Sequence, residues 1–242
     1  MNPIRNGKFT SSGIVALTTS PTAKALKEGE IFSVGGLTYI NEKRFERKLG
    51  RSLDSGDTGR ACWWGKVCEQ QAFNVLGTEY SLSSTDTEIH PNYENWVGSK
   101  DGEKHVIEKT IFDIKCPYTL KSFCEFAECK TIAEVRENHK DGEKYYWQLV
   151  SNACITGATH AELIIYMPYF DELEDIKDLA YNWQIDQNKV AWIGFATEGD
   201  LPYILRDGYY KNLHIINFEV PQTDKDFLEN IVVEAEKLLL KK

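Results

Sequence analysis

The feature that most constrains the fold of this chain is the stretch 111–117, which reads Ile-Phe-Asp-Ile-Lys-Cys-Pro. Its apolar residues predict a largely buried β-strand, and the proline ends it because proline lacks the main-chain N–H that a sheet needs. Side chains on a strand alternate between two faces, so Asp113 and Lys115 are expected on one face and Phe112 and Ile114 on the other. The charged pair is either an ordinary surface ion pair or part of a catalytic site, and so short a pattern does not decide between them.

Two further polar residues stand on segments that are otherwise apolar. Glu69 lies on a helix predicted over residues 58–76, and Gln148 lies on a helix predicted over residues 145–157. Glu69 is interpreted either as a site residue or as an exposed helix glutamate, since glutamate is common on helix surfaces.

Asp101 is followed by Gly102, a pair that is a strong signal for a hairpin turn. Such a turn would lead back into the strand that is predicted over residues 106–116. Asp101 is then either a turn residue or a metal ligand. The second interpretation requires the hairpin to place Asp101 beside Asp113.

Carboxylates that converge beside a lysine define an oxygen-rich site, which suits Mg²⁺ or Mn²⁺ better than zinc. A divalent ion held in this way polarises a phosphodiester and lowers the pKa of a bound water. The lysine orients that water and offsets the charge that builds on the phosphate oxygens. The residue types therefore indicate metal-dependent phosphodiester hydrolysis.

The composition indicates a globular protein with an acidic balance. Of its 242 residues 42% are hydrophobic, which is enough for one sizeable core, and the net charge of -9 argues against a protein that coats nucleic acid. The basic stretch 43–51 is either the lining of a locally basic cleft or a solvated helix face. The six cysteines include no Cys-x-x-Cys pair, and no apolar run is long enough to span a bilayer. We therefore expect reduced thiols, a cytoplasmic location and no membrane contact.

The order of the predicted elements indicates an α/β fold. Besides the hairpin, strands are expected over residues 161–167, 190–195 and 213–220, and helices fill most of the remaining chain. This arrangement predicts a central mixed β-sheet flanked by α-helices.

Four motifs, in chain order, make the sequence resemble the PD-(D/E)xK nuclease superfamily. They are Gly65-x-x-x-Glu69, Gly98-Ser99-Lys100-Asp101-Gly102, Asp113-Ile114-Lys115-Cys116-Pro117 and Tyr146-Trp147-Gln148. Within that superfamily the chain is similar, over nearly its whole length, to the YqaJ-like viral recombinases, the family of the lambda-type exonucleases. The resemblance implies a restriction-endonuclease-like core in a single nuclease domain over residues 1–242, with a helical part at residues 1–60 packed on it.

The resemblance also implies a role for each motif residue. The metal ligands that it implies are the carboxylates of Glu69, Asp101 and Asp113 and the main-chain carbonyl of Ile114. They would hold two Mg²⁺ ions, or Mn²⁺ in their place. Lys115 would position the attacking water, and Gln148 would help to hold the site and the DNA strand.

The activity implied by the resemblance is that of a Mg²⁺-dependent DNA exonuclease, which digests double-stranded DNA ends from 5′ to 3′ in phage-type recombination. Arg5 and Ser12 resemble the arginine-to-serine opening of the family and would bind the 5′-phosphate of a DNA end. The family further implies a partner protein that anneals single strands and a ring of identical subunits. For a phage-encoded protein, it also implies the cytoplasm of the bacterial host.

Three positions depart from the family pattern. Lys100 stands where a proline is usual, Asp113 stands where glutamate is more frequent, and Asn152 stands where a Gln-x-x-x-Tyr motif has its tyrosine. None of these differences removes a charge that the chemistry needs.

Two other functions stay open on the sequence alone. One is a metal-dependent endonuclease of the same superfamily, and the other is a catalytically silent DNA-binding subunit with the same fold. The intact pair of Asp113 and Lys115 argues against the silent subunit.

Overall fold

The structure is a computed structural model that describes residues 3–53, 59–83 and 87–241. The strands in these ranges are β1 (Phe9–Thr10), β2 (Tyr80–Leu82), β3 (Glu88–Ile89), β4 (Trp96–Gly98), β5 (Gly102–Lys104), β6 (Thr110–Lys115), β7 (His160–Tyr166) and β8 (Leu213–Glu219). The helices are α1 (Val15–Thr18), α2 (Ala23–Lys27), α3 (Val34–Leu49), α4 (Arg60–Val75), α5 (Leu120–Ala127), α6 (Ile132–Asn138), α7 (Gly142–Thr156), α8 (Leu173–Tyr181), α9 (Gln187–Phe195) and α10 (Gln222–Leu239).

The larger sheet is mixed, as the sequence predicted. Its strand order is β2-β5-β6-β7-β8, with β6 and β7 parallel and the other neighbours antiparallel. The connection between β6 and β7 runs through α5, α6 and α7, because a parallel pair needs a long crossover. A smaller sheet has the order β1-β4-β3 and joins the N-terminal segment to the rest of the chain.

The two faces of β6 enter two different hydrophobic clusters. Ile111 packs among residues of α7, β7 and α10, whereas Phe112 and Ile114 pack among residues of α4, α8 and α9. The expected alternation of side chains is therefore confirmed. Asp113 lies on the face of Ile111, where it is only 1% exposed, so its charge needs partners inside the protein.

The N-terminal segment packs on the α7 side of the larger sheet. Phe9 and Ile14 are fully buried in the hydrophobic cluster that also contains the α7 and α10 side chains. Two residues of α3 hold the loop before β1. The N–H of Gly7 donates to Oε2 of Glu46 at 2.9 Å, and Nε of Arg47 donates to the carbonyl of Gly7 at 2.8 Å.

Three cations of the basic stretch 43–51 have partners within the protein. Lys43 pairs with Glu46 at 3.0 Å, and Arg47 binds the N-terminal loop through the carbonyl of Gly7. Nη2 of Arg44 donates to the main-chain carbonyl of Lys241 at 3.1 Å. These three cations therefore have structural roles in the packing of α3.

The expectation of a strand over residues 190–195 is wrong, because this segment belongs to α9. Val190 and Ile193 are both buried and are three residues apart, which is the spacing of one helix face. A short run of aliphatic residues fits both a strand and a helix, and here packing against α4 and α8 decides for the helix.

The expectation of a turn at Gly102 is also wrong. Gly102 is the first residue of β5, and the connection between β5 and β6 lies at residues 105–109. A Cβ at Gly102 would lie 2.1 Å from the carbonyl oxygen of Ser81 and 2.4 Å from the ring of Phe112. Close packing within the sheet, rather than a turn, therefore requires glycine at this position.

Two general expectations can be compared with the described ranges. All six cysteines lie in them and are free thiols. No helix in the same ranges has both the length and the apolar content that crossing a membrane requires.

Candidate active site

The two aspartates that were predicted for the site meet where β5 begins and β6 ends. Asp101 directly precedes β5, and its main-chain N–H donates to the carbonyl of Phe112 at 3.2 Å. Its carboxylate oxygen Oδ2 accepts from the main-chain N–H of Ile114 at 2.6 Å. The antiparallel pairing of β5 with β6 thus brings Asp101 into electrostatic contact with Asp113, as the ligand interpretation requires.

Asp113 is held by two side chains. Its Oδ1 accepts from Nε2 of Gln148 at 2.9 Å, and its Oδ2 forms an ion pair with Nζ of Lys115. Gln148 reaches across from α7, and Lys115 follows two residues later on the same face of β6. Because one oxygen of the buried carboxylate accepts a hydrogen bond and the other pairs with an ammonium, its orientation is well defined.

Glu69 reaches the same place from α4, on the other side of the sheet. The helix passes the end of β6, where a Cβ at Gly65 would lie 3.9 Å from the main-chain oxygen of Cys116. Glu69 lies one turn further along that helix face and is half-buried rather than exposed. Its carboxylate interacts with the charges of Asp113 and Lys115, so the structure brings Glu69 together with the other predicted site residues.

The clustered charges change one another's pKa. Burial raises the pKa of Glu69, and the charge of Asp113 raises it further, to about 7. Burial also raises the pKa of Asp101 well above its ordinary value, and the charges of Asp113 and Glu69 add to this effect. Burial opposes the charge of Lys115, but the attraction of Asp113 and Asp101 outweighs it and holds the pKa of Lys115 above its ordinary value. Burial and mutual repulsion of the carboxylates thus outweigh the nearby cations at Glu69 and Asp101, and the site is short of positive charge.

This charge deficit and the donor types fit a divalent cation. Carboxylate and carbonyl oxygens are the ligands that Mg²⁺ takes, and Mg²⁺ keeps several waters while it binds one or two carboxylates. In the part of the chain that the structure describes, no three histidine, cysteine, aspartate or glutamate side chains form a ready-made metal cage. The oxygens of Asp101 and Asp113 instead contact donors within the protein. A bound ion would have to share these oxygens with the donors.

The free energy of unfolding without divalent ions is expected to fall as the pH rises from about 5 to about 8. The folded pKa of Glu69, about 7, lies above its ordinary 4.5, so protonation of Glu69 favours the folded state. This stabilisation is complete below the unfolded pKa and is lost as the pH rises through about 7. Glu69→Gln should flatten that part of the curve in thermal melts with EDTA. The exposed change Glu28→Gln is the control, and equal slopes for Glu69→Gln and the wild type would contradict the assignment.

The two residues that were predicted to bind a 5′-phosphate lie together. Nη2 of Arg5 donates to Oγ of the exposed Ser12 at 3.3 Å. The neighbouring Ser11 places its Oγ 2.8 Å from Oγ of Ser151, which is one turn after Gln148 on α7. The segment is therefore anchored to the helix that carries Gln148. Contact of Arg5 and Ser12 with DNA stays a prediction.

Two of the residues that depart from the family pattern have clear structural partners. Nδ2 of Asn152 donates to the carbonyl of Ser99 at 3.0 Å and so steadies the chain that leads into Asp101. Lys100 forms an ion pair with Glu88 of β3, which neutralises its charge locally.

A tyrosine outside the predicted site residues lies against the lysine of the site. Nζ of Lys115 is 5.1 Å from the ring centroid of Tyr145 on α7. The Tyr145 ring is in turn held by Phe126 and His139, at centroid distances of 5.8 and 6.1 Å. Tyr145 precedes Gln148 by three residues, so both project from one face of α7, and this spacing was the available sequence signal. The tyrosine that the motif lacks one turn after the glutamine is present one turn before it.

The fold of this chain is similar to those of several solved structures. No family model matches the chain, and no curated protein sequence matches it. The chain is similar to an alkaline exonuclease, LHK-Exo, from Laribacter hongkongensis, with a TM-score of 0.60 and 17% identity over 97% of this chain and 89% of that one. LHK-Exo in complex with dAMP gives a TM-score of 0.59 and 15% identity over 98% and 90% of the two chains. A phage-related exonuclease from Haemophilus somnus 129PT gives a TM-score of 0.64 and 16% identity over 96% and 93%.

These likenesses extend over nearly the full length of the chain, and at such low sequence identity they show the fold. They confirm the expected α/β architecture with a restriction-endonuclease-like core, in which helices flank a mixed sheet.

Proposed function

We propose that this chain is a metal-dependent DNA exonuclease that hydrolyses phosphodiester bonds at the ends of duplex DNA. The observation that carries the proposal is the convergence of Glu69, Asp101 and Asp113 with Lys115 at the end of β6. The likeness to structures described as an alkaline exonuclease and a phage-related exonuclease supports it. We further propose that residues 1–242 form a single nuclease domain, since the N-terminal helices share a hydrophobic cluster with the sheet.

The residues of the site have different roles in the proposed hydrolysis. The groups that would hold two Mg²⁺ ions, or Mn²⁺, are the carboxylates of Glu69, Asp101 and Asp113 and the main-chain carbonyl of Ile114. Such a metal centre, when bound, supplies a Lewis acid and lowers the pKa of a water. Lys115 orients the attacking water and offsets the charge that develops on the phosphate oxygens. Gln148 keeps Asp113 in one orientation through its hydrogen bond.

The end of the DNA would be recognised through its phosphate. A guanidinium matches the geometry of a phosphate, and a hydroxyl adds a further donor, so Arg5 and Ser12 are suited to a 5′-phosphate. Binding of the 5′-phosphate by Arg5 and Ser12 next to the cleavage site would make digestion proceed from 5′ to 3′. The sequence resemblance supports a single-strand annealing partner, a ring of identical subunits, a role in phage-type recombination and the bacterial cytoplasm as its place.

A digestion assay with Mg²⁺ tests the proposed function. Its substrates are linear duplexes labelled at the 5′ or the 3′ end, with a closed circular duplex beside them. Release of mononucleotides from the 5′ ends, with the circle left intact, is the expected result. Nicking of the circle would show an endonuclease instead. Failure to cleave either substrate with Mg²⁺ or Mn²⁺ would favour a silent DNA-binding subunit.

Tyr145→Leu is expected to slow DNA cleavage about tenfold, while Tyr145→Phe should stay close to the wild-type rate. A cation over an aromatic ring gains about 0.5–1 kcal/mol when exposed and about 2 kcal/mol when desolvated, and phenylalanine keeps the ring face that leucine lacks. Single-turnover rates at saturating DNA measure the effect on the chemical step, and the steady-state KM should change little in both variants.

Tyr181→Leu is the matched control, because Tyr181 is an exposed tyrosine at the end of α8. Equal losses for Tyr145→Phe and Tyr145→Leu would show that the hydroxyl group, and not the ring, acts on Lys115.

A further inference from the structure

Three cations rest on tryptophan rings on the surface formed by α4 and α9. Nζ of Lys66 lies 4.1 Å and Nζ of Lys189 lies 5.2 Å from the ring centroid of Trp63. The guanidinium of Arg60 lies 5.0 Å from the ring centroid of Trp192. We call these five residues the cation–aromatic face.

The cation–aromatic face adjoins the proposed active site at two points. Lys66 precedes Glu69 by three residues on α4, so both project from one side of the helix, and the charge of Lys66 acts on Glu69. Tyr118 follows Lys115 by three residues, and its ring meets Trp192 edge-on at a centroid distance of 6.0 Å. A strand of DNA leaving the site on the α4 side would therefore meet this face.

The rings position the cations without neutralising them, while the carboxylates of Glu69 and Asp200 act on Lys66 and Arg60. A cation over a ring gains about 0.5–1 kcal/mol at an exposed site and stays a full positive charge toward an outside partner. The carboxylate of Asp186 is 3.9 Å from Lys189, which is a loose ion pair at a half-exposed position. On α3, by contrast, the charge of Lys43 is neutralised by a close ion pair with Glu46.

The chemistry of this face fits phosphate better than bases. Trp63 is only 7% exposed, and two ammonium groups lie over its ring, so the ring offers no open platform for stacking. What the face presents outward is positive charge at fixed positions. A chain with a net charge of -9 repels DNA as a whole, so binding near the site requires such a local patch.

We infer that the cation–aromatic face binds the phosphate backbone of the DNA strand next to the bond that is cut. This inference rests on the proposed function and names a part of its substrate contact. Binding through phosphate is independent of base sequence and is sensitive to salt, because it releases counterions.

The test compares two sets of three substitutions, each in the Lys115→Ala background so that DNA can be bound with Mg²⁺ and left intact. One set is Arg60→Gln, Lys66→Gln and Lys189→Gln. The matched control removes the same number of charges from α2 and α10 through Lys24→Gln, Lys27→Gln and Lys237→Gln, all at exposed positions. The affinity for a 5′-phosphorylated duplex is measured by fluorescence anisotropy between low and moderate salt.

The first set is expected to weaken DNA binding tenfold or more at low salt. It should also make the plot of log affinity against log salt shallower by about 0.9 for each phosphate that the protein no longer neutralises. The control set should leave the slope unchanged. Thermal melts check the fold, and Lys66→Gln alone, at an exposed helix position, serves as a second variant with a smaller loss.

Three outcomes would overturn the inference, and they are distinguishable. If the wild type cleaves DNA and the Lys115→Ala parent binds it, an unchanged slope in the first set removes this inference alone. If that set loses binding to polyglutamate but not to DNA, the face serves an acidic protein partner. If the wild type neither cleaves nor binds DNA, the proposed function fails and this inference with it.

Discussion

Replacing Lys115 with alanine is expected to lower the rate of phosphodiester cleavage by about 10²–10⁴-fold, the range typical for removal of a group that positions a proton or stabilises developing charge. The ammonium of Lys115 is fixed between the carboxylate of Asp113 and the ring of Tyr145. It is therefore preorganised, and water does not reproduce that arrangement once the side chain is removed.

The Lys115→Ala variant should retain the fold and most of its DNA affinity. Single-turnover cleavage of an end-labelled duplex measures the chemical step, and anisotropy measures binding. Lys121→Ala is the control, because that side chain is 87% exposed on α5. A near-normal rate for Lys115→Ala would show that the cluster at the end of β6 is not the catalytic site.

A second readout of Lys115→Ala requires no activity. The ammonium offsets the repulsion among the surrounding carboxylates, so its loss should destabilise the metal-free protein more at pH 8 than at pH 5. Thermal melts in EDTA at the two pH values measure this difference. An equal loss at both values would mean that Lys115 contributes through packing rather than charge.

Asp101→Asn is expected to change activity and stability in opposite directions. Cleavage should fall by about 10²–10³-fold, because the variant loses a carboxylate that we propose as a metal ligand. In EDTA at pH 8 the same variant should be more stable than the wild type by on the order of 1 kcal/mol, which is about 2–4 °C in Tm for a chain of this size.

The sign of the stability change follows from the raised pKa of Asp101. Burial and the charges of Asp113 and Glu69 favour the protonated form in the folded state. The ionised form therefore costs stability as the pH rises above the ordinary value of 3.8, and at pH 8 asparagine removes that cost. An asparagine side-chain oxygen can still accept the hydrogen bond from the N–H of Ile114.

Asp175→Asn is the control for Asp101→Asn, since Asp175 is an exposed aspartate in the first turn of α8. Added Mg²⁺ should stabilise the wild type more than Asp101→Asn, because an ion bound only to the folded state shifts the melting curve by mass action. A lower Tm for Asp101→Asn in EDTA would contradict the picture of mutually repelling carboxylates. The expected results for Lys115→Ala and Asp101→Asn both follow from a site in which buried charges serve activity and lower the stability of the fold.

The face of the sheet to which each β6 side chain points could be predicted, because side chains alternate between the two faces along a strand. Phe112 and Ile114 enter one hydrophobic cluster, and Asp113 faces the other side, as the pattern indicated. The same local reasoning failed for α9, where the spacing of Val190 and Ile193 fits two structures and packing selects the helix. It also failed for Gly102, because the glycine is required by the close approach of the neighbouring strands and not by a turn.

The sequence by itself determined which charged groups this protein has, the face of the strand on which Asp113 and Lys115 stand, and the residue types that suit a divalent cation. Only the tertiary structure decided the partner of each group. It placed Tyr145 against Lys115, brought Glu69 from the opposite side of the sheet and engaged Arg47 with the N-terminal loop. The physical reason is that alternation along a strand is a local property of the backbone, whereas an ion pair or a ring contact joins elements that are distant in sequence and meet only through packing.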